Sequence, residues 1–278
     1  MIFFLLQEIQ LKNLKHINLN RCKCITELPE LCAPNLETLD LSRCKNLVKV
    51  HESIGFLDRL QIWNLELCKK LQNLPNNLRL KSLKYFNLRF CSSLEKFPDI
   101  EPEMKCLERL LLVKSGIKEL PSSIGYLTGL IELDLRICKN LRDLPDSIYR
   151  LQLLEKLYIP TAKLRPASNS FHSFSGYGFL RLEKLDFSYC ESVIELDLFL
   201  KPDYFPMLKV LNLSRTHIVS IPESLSRFNR LACLDIHECA QLREISRLPQ
   251  SIRVVDAGGC WLLDPQSKSG LFNQVSLF

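Results

Sequence analysis

The sequence predicts an α/β solenoid in which short units stack and share one parallel sheet, and three observations predict it. Leucine supplies 56 of the 278 residues, about one in five. An apolar phrase returns along most of the chain at a near-constant interval. A Leu-Pro step follows several of those phrases at a fixed distance. Such self-similarity marks units that cannot bury their apolar faces alone and gain stability by stacking on neighbours.

The phrase is Leu-x-x-Leu-x-Leu-x-x-Cys, seen in full at Leu36–Cys44 and Leu130–Cys138. With Ile, Phe, Trp or Val allowed at the leucine places, copies open at Leu14, Leu36, Leu60, Leu83, Leu107, Leu130, Leu154, Leu182, Leu208, Leu231 and Ile252. Successive openings lie 22, 24, 23, 24, 23, 24, 28, 26, 23 and 21 residues apart. This is the leucine-rich-repeat signature. It predicts a curved horseshoe with a parallel concave sheet and an irregular or 3-10 convex side.

Each part of a copy has a physical reason. Alternation along a strand sends the fourth and sixth places inward and the third, fifth and seventh outward. The Pro of Leu74-Pro75 or Leu144-Pro145 ends regular hydrogen bonding and turns the chain toward the convex side. Ser53-Ile54, Ser123-Ile124 and Ser147-Ile148 then begin a short helix or 3-10 turn. Copies five and nine are one residue tighter and place Ser115 and Thr216 where others place Cys, so this slot demands a small residue with a donor rather than a thiol.

Copy seven degenerates after Ile159 into a Pro-, Ser- and Gly-containing stretch, where a loop is expected near 160–180. Residues 1–13 read as the end of a preceding repeat or a truncated cap, 14–263 as the solenoid of about eleven copies, and 264–278 as a post-repeat tail. The chain reads as a piece of a longer protein.

Several chemistries are disfavoured. The charge balance is +6, with no run of five like signs, which does not point to nucleic acid or an anionic membrane. No apolar stretch approaches the 18 or so residues of a membrane span. Eight of the twelve cysteines fall at the ninth place in phase with the repeat, and the only close pair is Cys22-x-Cys24, so neither zinc nor a redox centre is expected. The five histidines scatter over different copies, and no nucleophile-elbow, zinc-protease or phosphate-loop motif occurs. We expect no cofactor, no metal and no catalysis. Asn212-Leu-Ser214 is the single glycosylation sequon and falls inside a strand, which favours an unexported protein.

The fifth places are mostly Asp or Asn and read as a solvated polar face. The middle of the chain breaks that pattern. Ile62, Tyr85, Phe90, Leu111, Val113, Ile137 and Tyr158 are expected to point outward there, interleaved with Arg89, Arg109, Lys114, Arg136 and Lys156. An apolar patch set among cations is the composition of a protein-binding surface, and these twelve residues are the candidate partner site. The alternative is that some of them pack under neighbouring stems or cover the copy-seven loop.

Leu-x-Leu-x-x-Cys-x-x-Leu followed by Leu-Pro-x-Ser-Ile, as at Leu120–Ile124 and Leu144–Ile148, resembles the repeat domain of plant intracellular immune receptors of the TIR, nucleotide-binding, leucine-rich-repeat class. Leu248–Cys260 and Asp264-Pro-Gln-Ser resemble the junction with that family's post-repeat domain. The resemblance covers roughly 11–268. It implies recognition of a pathogen effector or a guarded host protein, contact with the parent receptor's nucleotide-binding domain, restraint of its switch, and residence in the cytoplasm or nucleus. No phosphate loop or TIR segment is present, so nucleotide binding and NAD hydrolysis are not assigned to this chain. The competing reading is a cytosolic scaffold of the Ras-associated repeat type, which usually has Asn where this chain has Cys.

Overall fold

A computed structural model describes residues 11–159, 178–190, 196 and 200–274. The first ten residues, most of the expected loop and the last four residues lie outside it. The chain forms two compact units, one ending at Leu151 and the other starting at Gln152.

In the first unit six parallel strands stand side by side: His16–Asn18, Thr38–Asp40, Ile62–Asn64, Tyr85–Asn87, Arg109–Leu111 and Glu132–Asp134. Each is the third, fourth and fifth place of its copy, and each pairs with the next in the same register, as Tyr85 with Arg109 and Asn87 with Leu111. The second unit repeats the arrangement with Lys156–Tyr158, Lys184–Asp186, Val210–Asn212, Cys233–Asp235 and Val254–Asp256. The eleven strands expected from the phrase are all present, and the fold is a parallel-sheet solenoid.

The returning side is 3-10 rather than α-helical. Glu52–Phe56, Ser122–Tyr126 and Asp146–Arg150 form single 3-10 helices in the first unit, and Glu223–Arg227 in the second. Pro121, Pro145 and Pro222 stand extended at the N-caps, which is where a residue without an N–H costs nothing. Two-residue strands also pair there, Glu27–Leu28 with Lys49–Val50 and Asn77–Leu78 with Asp99–Ile100. The tail holds an α-helix, Pro265–Gln274.

The core is a stack of the apolar places. Leu39, Leu133, Leu157, Leu185 and Leu211 have no exposed surface, and Trp63 and Phe86 substitute at the same place in copies three and four. Their rings stack 4.6 Å apart at 10°, so two aromatics fill neighbouring leucine slots without opening a void.

The cysteines form the second ladder. Six of the ladder thiols donate to the sixth-place carbonyl of the copy before, among them Cys68 to Leu41 at 3.1 Å, Cys91 to Leu65 at 3.2 Å and Cys138 to Leu112 at 3.0 Å. Thr216 donates to Leu213 O at 2.6 Å from the same slot, in line with the expected demand for a small donor. Burial pushes the thiol pKa values up, Cys68 to about 12 and Cys91 well above the ordinary value. All twelve cysteines are free, and seven of the eight ladder members are buried while Cys22 is partly open.

Two outcomes follow for this ladder. Cys68→Ser should change stability by about 1 kcal/mol or less, whereas Cys68→Leu, which loses the donor and overpacks the slot, should cost about 2 kcal/mol or more in urea unfolding. A thiol pKa raised on folding favours the folded state below the unfolded value and loses that advantage as pH climbs from about 9 toward 12. The unfolding midpoint should therefore drop between pH 8 and pH 11, and Cys68→Ser should flatten the drop.

Candidate functional site

Every copy must leave its strand within three residues, and nine of the eleven copies solve this the same way. The fifth-place Asp or Asn turns its Oδ1 onto the backbone N–H two residues on: Asp40 to Ser42 at 2.8 Å, Asn87 to Arg89 at 3.1 Å, Asp134 to Arg136 at 3.2 Å, Asp186 to Ser188 at 2.9 Å. The residue at the eighth place is then left-handed, with φ between 54 and 63° at Arg21, Arg43, Leu67, Phe90, Lys114, Ile137, Tyr189, Arg215 and Glu238. Only copy eleven has glycine there, Gly259. The fifth row is thus a set of turn caps, and Asn87, Asp134 and Asp186 are buried, not solvated as the sequence suggested.

In the first unit the structure gathers nine of the twelve candidate residues on the open face of copies three to six. Ile62, Tyr85 and Arg109 are lateral neighbours in the third row. Ile62 is 42% exposed, and the Arg109 guanidinium lies 5.5 Å from the centre of the Tyr85 ring while its Nε meets Glu132 at 2.9 Å. Arg89, Val113 and Arg136 occupy the seventh row, and Phe90, Lys114 and Ile137 the left-handed eighth row.

Leu111 is not part of the surface, with 1% exposure. It fills the fifth place of copy five, between Asn87 and Asp134, where the other copies of this unit carry a cap. Arg89 reaches over the intervening copy to Asp134 Oδ2 at 3.5 Å, and Arg136 holds the same carboxylate with Nε at 3.0 Å and Nη2 at 2.7 Å. Asp134 is wholly buried, so two arginines neutralise one interior charge and roof the leucine. Both arginines are therefore structural, and half-buried rather than freely exposed.

In the second unit Lys156 is exposed, but Tyr158 is buried at 8%, with the Lys184 ammonium 5.0 Å from its ring centre. Like Leu111, it replaces a fifth-place cap and packs down. These two positions fit the alternative of packing under neighbours. Nearby, Asp235, His237 and Asp256 bring ligand-type atoms within 4.8 Å of one another. Their polar atoms already serve the turns: Asp235 caps His237 N–H at 3.1 Å, Asp256 caps Gly258 N–H at 3.0 Å, and His237 Nε2 sits 3.0 Å from Glu238. Arg215, then His237, hold the Glu238 carboxyl below its ordinary pKa.

The sequence reading passed over Arg21 and Arg43, two exposed cations in the eighth row of copies one and two. The signal was present: each directly precedes the ladder cysteine, as Phe90 and Ile137 do.

Fold and face define a leucine-rich-repeat protein, and the family comparison narrows the class. Residues 79–269 match the family described as disease resistance protein RPS4B-like, leucine-rich repeats, and residues 35–57 match the general leucine-rich repeat. The chain belongs to this family of disease resistance repeats. TMV resistance protein N of Nicotiana glutinosa is 32% identical over 289 residues, covering 87% of this chain and 25% of that protein. Disease resistance-like protein DSC1 and disease resistance protein RPS4B of Arabidopsis thaliana are 29% and 28% identical over 77% and 72% of this chain, and 15% and 16% of their own lengths. The chain thus spans about a quarter or less of these relatives. Among solved structures, the functional domain of InlJ from Listeria monocytogenes covers 95% of this chain and 58% of its own at 19% identity and a TM-score of 0.47, too low to add to the assignment.

The buried carboxylate gives a direct test. Asp134→Ala removes a turn cap and strands two arginines, so it should cost about 3 kcal/mol or more in denaturant unfolding, while Asp134→Asn, which keeps the Oδ1 cap, should cost distinctly less.

Proposed function

We propose that this chain is the recognition segment of a plant intracellular immune receptor of the TIR, nucleotide-binding, leucine-rich-repeat class. Its open face at copies three to six binds a pathogen effector or a guarded host protein, and the segment also contacts the receptor's nucleotide-binding domain to hold its switch off. It works in the cytoplasm or nucleus and performs no catalysis. No described helix is long and apolar enough to cross a membrane.

The observation that carries the reading is the third row. Ile62, Tyr85 and Arg109 project from a hydrogen-bonded sheet that fixes their spacing at about 4.8 Å per strand, so they meet a partner with little ordering cost. The family match supplies the defence context. A Ras-associated scaffold fits less well, because residues 79–269 match the disease resistance repeats.

Purified effector proteins from plant pathogens, screened by interferometry against the chain, should yield a binder. Tyr85→Ala combined with Arg109→Glu should weaken it about tenfold or more while leaving the unfolding midpoint within a few degrees. The purified chain should neither hydrolyse ATP nor cleave NAD, and a turnover that follows the protein through purification would refute the reading.

A further inference from the structure

We infer that the left-handed places of copies one to six form a recognition stripe for an acidic protein surface that carries an apolar side chain. This rests on the recognition reading above and identifies the row of the open face that sets the partner's chemistry.

The turn demands a left-handed residue in every copy whose eighth place is described, and glycine adopts that conformation freely, as Gly259 does. Asn is the next most tolerant residue. The first unit uses neither. Its six places hold Arg21, Arg43, Leu67, Phe90, Lys114 and Ile137, among them a β-branched side chain for which this conformation is a true outlier. Retaining bulk and charge where the backbone favours their absence is the pattern of strain held at a binding site.

The second unit provides the contrast. There Tyr189, Arg215 and Glu238 satisfy one another: Arg215 meets Glu238 at 2.9 Å, hydrogen-bonds the Tyr189 hydroxyl and lies 4.9 Å from the centre of its ring. In the first unit Arg21, Arg43 and Lys114 are exposed and have no ion-pair partner among the described residues. Their backbone N–H groups are all used, Arg21 to Ser42 O at 2.9 Å, Arg43 to Glu66 O at 2.6 Å and Lys114 to Arg136 O at 2.9 Å, so the side chains project from a fixed frame. Along the stripe the free cations Arg43 and Lys114 flank the adjacent pair Leu67 and Phe90, which, like Ile137 at the end, are half-buried. Carboxylates flanking an apolar side chain complement that order. A nucleic acid would offer phosphates but no partner for the apolar members.

The test uses a phage-displayed library of random dodecapeptides selected on the whole purified chain. Clones should be enriched in Asp or Glu around a Leu, Ile or Phe. Their binding should fall about tenfold or more with Arg43→Gly combined with Lys114→Gly, and with Phe90→Asn. Because Gly and Asn suit the left-handed turn, the unfolding midpoint should stay level or rise. Enrichment without acidic residues, no enrichment, displacement of the clones by duplex DNA, or loss of binding accompanied by a lower midpoint in the Arg43 and Lys114 variant would overturn the stripe. Clones that respond only to Tyr85→Ala and Arg109→Glu would overturn it too, while leaving the recognition reading intact.

Discussion

The structure depends on how a copy escapes from its strand. Three residues after the strand ends, the backbone must be left-handed, and an L-residue there costs about 1–2 kcal/mol unless its surroundings enforce the turn. Three groups enforce it together. The fifth-place carboxylate or amide caps the seventh N–H, the eighth N–H donates to the next copy, and the ninth side chain donates to the copy before. Turn geometry and stacking are therefore one interaction, and a copy cannot adopt its shape without its neighbours. This is why the solenoid tolerates Trp63 and Phe86 at leucine places yet retains Cys, Ser or Thr at the ninth place wherever that place is described.

The proposed function grows from the same constraint. A sheet whose turns are this strongly tied leaves its outward side chains with fixed positions and little freedom to lose on binding. Arg89 and Arg136 show the limit of that freedom. They face outward, yet Asp134 holds them, so they shape the surface by closing it over Leu111 as much as by offering charge. Ile62 carries no such obligation, while Arg109 is tied to Glu132 and lies over the Tyr85 ring.

Much of this was legible in the sequence, and what was not had a common cause. The repeat period set every strand of the long sheet to the residue, because the fourth and sixth places are apolar in every copy and buried in all but the first and last. The ninth-place donor was legible from Ser115 and Thr216, since substitution inside one chain exposes what a slot requires. The fifth row was misread because Asp and Asn are also the residues of a solvated face, and composition does not separate a cap from a surface. Leu111 and Tyr158 were misread for the converse reason. A large apolar residue at an outward place looks like an anchor until the lateral neighbours that cover it are known, and those lie 22 to 26 residues away in sequence.

The placement of the two tryptophans carries an optical consequence. Trp63 has no exposed surface and stacks on Phe86 in the first unit, whereas Trp261 is 82% exposed in the second. An indole held in hydrocarbon emits at shorter wavelength than one in water, and an ionic quencher such as iodide reaches only the latter. With Trp261 silenced in this way, the remaining emission reports on the interior of the first unit alone. The chain therefore carries its own label for following that unit through folding or partner capture without any added dye.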